Sequence, residues 1–158
     1  MNTPKKLTPK VYLPTNEVHN PMERLFLDTN LIIRFLTKDA PKQAEKARQV
    51  FVQLEAGTLT VTTSEAVIVE AVHILSSKVL YNVSRQEIRR HLRNIIILRG
   101  LKIANKKTYL RALDLYVSTN IDFVDALSVA HMERAKLTTI LSFDRDFDKI
   151  SSITRQEP

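Results

Sequence analysis

Four acidic residues stand where a carboxylate is costly. Asp28 ends the apolar run Arg24 to Leu27, Glu70 interrupts the apolar stretch VIVEAVHIL, Asp125 is flanked by Phe123, Val124, Ala126 and Leu127, and Asp144 follows Leu141. A carboxylate among core residues must be paired, protonated or bound to a cation. Four of them brought together would repel one another, and their pKa values would rise until a divalent ion resolved the repulsion. Hard oxygen donors without a His or Cys requirement select Mg²⁺ or Mn²⁺ over zinc. Such a centre suits phosphodiester hydrolysis, because the ion acidifies water and neutralises charge developing on the phosphate oxygens. Other devices are excluded by composition. The chain has no cysteine, so thiol nucleophiles, zinc–thiolate sites and disulfide frameworks drop out. Its two glycines, Gly57 and Gly100, stand alone, so no glycine-rich phosphate loop can be built.

Each acid also has a plainer reading. Asp28 can cap the helix that follows it, and Glu70 can face solvent. Asp122 and Asp125 are one turn apart; Asp125 is the better metal ligand and Asp122 the better cap. In the alternating series Asp144, Asp146 and Asp148, the first is the site candidate. Asp146 either supports a ligand or caps locally, and Asp148 is expected to be solvated.

The elements that must position these residues alternate between strand and helix. Strands are expected at 24–27, 59–62, 101–104 and 137–141, with a short one near 152–154. Helices are expected from Leu31, over 40–56 with Asp39 as N-cap, Pro41 in the first turn and Gly57 as terminator, and over 64–80. Ser84 and Glu87 form a capping box for the next helix, and two more follow over 105–117 and from Asp122 to about Lys136. Connections of this length imply an α/β fold with a mostly parallel sheet and helices on both faces. The site then belongs at the carboxyl ends of strands, where Asp28 and Asp144 fall. Residues 1–23 carry four of the six prolines and no periodicity, and are read as a flexible N-terminal extension.

The net charge is +7. Between Lys78 and Arg111 stand ten basic residues and one acid, Glu87, a local balance of +9 that leaves the remainder at 7 − 9 = −2. Arg85, Arg89 and Arg93 lie one turn apart on one helix face, which is either a solvated face or a contact for RNA or an acidic partner. Without cysteine, a signal-peptide core or a long apolar run, the chain is expected in the cytoplasm, with no membrane association.

The motifs LFLDTN (25–30), VIVEAVHIL (67–75), DFVDALSVA (122–130) and LSFDRDF (141–147) resemble, in order and spacing, those of the PIN-domain nucleases, in particular the VapC-like toxin ribonucleases of type II toxin–antitoxin pairs. The resemblance covers about residues 24–155. It implies a three-layer α/β/α sandwich, and matches Asp28, Glu70, Asp125 and Asp144 to an acidic quartet that holds Mg²⁺ or Mn²⁺ and activates water to cut RNA. Asn30 matches the polar residue that helps order the first acid. Ser142 stands where threonine is more usual and keeps the hydroxyl. The resemblance further implies a homodimer and a cognate antitoxin that silences the acidic groove, whereas a catalytically idle PIN-like module would bind nucleic acid or protein without cutting.

Overall fold

A computed structural model describes residues 25–158, so the extension assigned to residues 1–23 lies outside the described residues. The chain runs β1 (Leu25–Phe26), α1 (Thr29–Thr37), α2 (Pro41–Ala56), β2 (Val61–Thr62), α3 (Glu65–Ser76), α4 (Arg85–Ile96), β3 (Leu101–Lys102), α5 (Lys106–Ser118), α6 (Phe123–Ala135), β4 (Thr139–Leu141), a 3₁₀ turn (Arg145–Lys149) and β5 (Thr154–Gln156). Every strand pairing is parallel, as helical crossovers require. Leu25 pairs with Val61, and Val61 with Leu101. The α/β class and the parallel pairing follow the expectation. The ladders form two groups, β1-β2-β3 and β4-β5. Strands of two or three residues contribute few ladder bonds, so side-chain packing carries the fold.

That packing is one cluster drawn from every helix. Leu54, Ile68, Ile88, Leu101, Leu113 and Ile121 are fully buried in it, and Phe35 stacks on Phe51 at 4.2 Å between ring centroids. Ends of helices follow the sequence signals in most places. Gly57 closes α2 in the left-handed conformation at φ 74°, and Pro41 opens it. Ser84 caps α4 and its hydroxyl lies 2.7 Å from the Glu87 carboxylate. Two expectations are corrected. Asp39 does not cap α2; its carboxylate accepts from the Arg34 guanidinium and the Tyr81 hydroxyl, each at 2.6 Å. Those bonds, Tyr81 first, hold the Asp39 carboxyl down to about 2. Helix α3 stops at Ser76 rather than Leu80, because the Ser77 carbonyl accepts the N–H groups of Leu80, Tyr81 and Asn82 and reverses the chain.

Candidate active site

Asp28 follows β1 and caps α1, the plainer of the two readings offered for it. Its carboxylate accepts the backbone N–H and the side-chain amide of Asn30, both at 3.3 Å. Asn30 thereby orients this acid. The next residue, Thr29, is buried and donates its hydroxyl to Glu70 at 2.5 Å, across 41 positions of sequence. Glu70 is exposed in the middle of α3. The residue after Asp28, at the start of α1, is thereby tied to Glu70 in the middle of α3. Nothing in the periodicity of LFLDTN singled out Thr29, since its partner is tertiary. A second buried threonine, Thr63, donates to the Leu27 carbonyl at 2.9 Å and clamps the end of β2 to the residue before Asp28.

The other two acids form a second group. Asp122 caps α6 by accepting the Val124 N–H at 2.9 Å, which leaves Asp125, in the first turn, free for the site. Burial raises the Asp125 carboxyl above its ordinary range, and the charges of Asp144, Asp122 and Asp146 raise it further. Asp144 caps the 3₁₀ turn through the Asp146 N–H at 2.8 Å, while its own N–H donates to the Ser142 hydroxyl at 3.0 Å. Asp146 accepts from the Lys149 ammonium at 2.7 Å. Asp148, expected to be solvated only, is bound at both oxygens by Arg155, which also donates to the Ser142 carbonyl. Arg155 thus anchors both ends of the segment that carries Asp144.

Thr29 joins the residue after Asp28 to Glu70, and Asp144 lies near enough to raise Asp125. Among the described residues no three His, Asp or Glu side chains form a group that could hold a metal ion. The donors fit a hard divalent ion by chemistry, being oxygen throughout, and the raised Asp125 carboxyl marks the crowding of negative charge that a cation relieves.

The PIN domain family model matches residues 25–153. The chain belongs to the PIN domain family. No curated protein matches it. The PIN domain encloses Asp28, Glu70, Asp125 and Asp144 and every helix. PIN domains are in general nucleases, hydrolases of phosphodiester bonds that use divalent metal ions, so the acids at the ends of β1 and β4 sit in a nuclease fold.

The arginine ridge of this PIN domain is tied into its own helices. Arg85 donates to the carbonyls of Tyr116 and Ile121, at 2.8 and 2.5 Å, and its guanidinium stacks 4.1 Å from the Tyr116 ring centroid. Arg85 thereby tethers α4 to the end of α5 and the loop after it. Arg89 and Arg93 share Asp114 of α5 at 3.3 and 4.0 Å and stay half exposed. Among the described residues no helix is long and apolar enough to cross a membrane.

Proposed function

We propose that this PIN domain is a Mg²⁺- or Mn²⁺-dependent endoribonuclease, of the toxin type that pairs with a cognate antitoxin and assembles as a homodimer. The observation that carries the reading is the Asp125 carboxyl, raised by burial and by the neighbouring Asp144 in a nuclease fold. Asp28, Asp125 and Asp144 are the carboxylates that would hold the ion. When bound, it neutralises charge on the phosphate and lowers the pKa of water. Glu70 has one oxygen taken by Thr29 and keeps the other to accept a proton from the attacking water. Asn30 holds the Asp28 carboxylate in place by donating two hydrogen bonds to it. Ser142 and Arg155 hold the turn that presents Asp144.

The test is Asp28→Asn with Glu70→Gln. Folding, followed by circular dichroism, is expected to persist while Mg²⁺-dependent RNA cleavage disappears; unchanged cleavage overturns the reading. Finding a small DNA-binding antitoxin gene directly upstream would support the toxin role. The alternative is a PIN module that binds RNA without cutting it. RNA binding by the wild-type chain with no metal-dependent cleavage would select that one.

A further inference from the structure

The segment after β4 carries two phenylalanines, four residues apart, and treats them oppositely. Phe147 is buried in the core, whereas Phe143 is 73% exposed, and Leu141 at the end of β4 is 67% exposed. The backbone of Phe143 is nevertheless pinned on both sides. Before it, the Ser142 N–H donates to the Gln156 carbonyl at 3.0 Å, and the Arg155 guanidinium donates to the Ser142 carbonyl at 3.1 Å. After it, the Asp144 N–H donates to the Ser142 hydroxyl at 3.0 Å, and the Asp144 carboxylate accepts the Asp146 N–H at 2.8 Å. A phenyl held in water on a fixed backbone is a preorganised apolar surface, which a ligand can cover with little further loss of chain entropy.

Place, charge and size decide what covers that ring. Phe143 immediately precedes Asp144, which lies near enough to Asp125 to raise its carboxyl, so the ring borders the candidate active site. Asp144 and Arg145, the next two residues, are both exposed, and Arg145 forms no ion pair with another described residue. A protein surface laid over the ring would strip water from both charges. The exposed parts of Leu141 and Phe143 also fall well short of the roughly 800 Å² that each partner buries in a stable protein interface. A nucleobase instead covers a phenyl with one flat face, leaves the neighbouring charges in water and brings its phosphates toward a cation such as Arg145.

We propose that Phe143 is a base-stacking residue, whose phenyl takes an unpaired nucleobase of RNA beside the phosphate to be cut. The position of that phosphate rests on the nuclease reading; the stacking surface does not. A phenyl presents no hydrogen-bonding group, so it accepts any base and distinguishes paired from unpaired nucleotides instead. In a duplex the bases are stacked on one another and offer the ring no free face. Phe143 thereby directs the site to single-stranded segments and loops.

The chain has no tryptophan, so in the full-length variant Phe143→Trp the indole fluorescence comes from this position alone. In EDTA, where no cutting occurs, a single-stranded oligoribonucleotide is expected to quench that indole saturably, while an abasic strand of the same length does not. Phe143→Leu, apolar but without a ring, should weaken binding of the oligoribonucleotide at least about fivefold, the low end for losing one stacked base, and leave Tm in place. Phe143→Tyr should keep wild-type affinity. An indole unquenched at saturating RNA, equal quenching by the abasic strand, or wild-type affinity in Phe143→Leu overturns the proposal. Quenching that rises with protein concentration alone also overturns it, because a second copy would then cover the ring. If RNA is still cut with Mg²⁺ in any of those cases, the nuclease reading stands. Base-dependent quenching in a chain that never cuts RNA upholds the stacking and sinks the nuclease reading alone, and a wild-type chain that binds no RNA sinks both.

Discussion

Burial, then the charges of Asp144, Asp122 and Asp146, leave Asp125 with a higher proton affinity folded than unfolded. Just above the ordinary carboxylate range the native chain therefore binds more protons than the unfolded one, and stability falls as pH rises through that window. At neutral pH the ionised Asp125 is a standing cost. Asp125→Asn should accordingly raise Tm at pH 7. The gain should vanish below pH 3, where the wild-type carboxyl is protonated. RNA cleavage in the same variant should fall at least about 100-fold, the upper range for losing even a ligand's supporting partner. A lowered Tm at pH 7, measured by calorimetry, would contradict this account. Asp122 and Asp125 could be told apart in sequence, because a cap precedes its helix and a first-turn acid follows it. Thr29 could not, since its only signal is a hydroxyl meeting Glu70 from 41 positions away.

Among the elements, the closest approach falls at Gly100, between α4 and β3. Its N–H donates to the Leu54 carbonyl at 2.8 Å and its carbonyl accepts the Val61 N–H at 2.9 Å, tying β3 to α2 and β2 at once. A Cβ here would stand 2.1 Å from the Leu59 carbonyl oxygen and 2.9 Å from the Leu54 backbone. Backbone on both sides cannot give way as a flexible side chain would. Gly100→Ala should cost about 3 kcal/mol or more, read from urea unfolding. Helices were legible in the sequence where local chemistry sets their ends, as with Pro41, Gly57, Ser84 with Glu87, and Asp122. Asp39 misled because a capping residue type directly before a proline-led helix is a local signal, while Arg34 and Tyr81 claim it through tertiary contact. Strand positions were legible but their lengths were not, since two-residue ladders bounded by helices leave no alternation to count.

Across the whole molecule, the basic third of the chain keeps its excess after folding. Among the described residues its local +9 meets two outside acids, Asp114 bound by Arg89 and Arg93, and Glu133 bound by Arg111, which leaves 9 − 2 = +7. Hydrogen bonds from Lys102 and Lys106 to carbonyls cancel no charge. That surplus should appear as salt dependence when the chain binds RNA. If about three single-strand phosphates are neutralised, log Kobs falls with log salt at a slope of roughly −2, and raising KCl from about 50 to 200 mM weakens binding about 20-fold. The individual arginines then separate. Arg90 is exposed, and its one side-chain contact among the described residues is to the ring of His91 at 3.5 Å, so Arg90→Ala should flatten the slope by about 0.7 and leave Tm in place. Arg85 faces the carbonyls of Tyr116 and Ile121, so Arg85→Ala should lower Tm and leave the slope unchanged. If Arg85→Ala flattened the slope instead, its guanidinium would be reaching phosphate, and the tether between α4 and α5 would be the wrong description of the ridge.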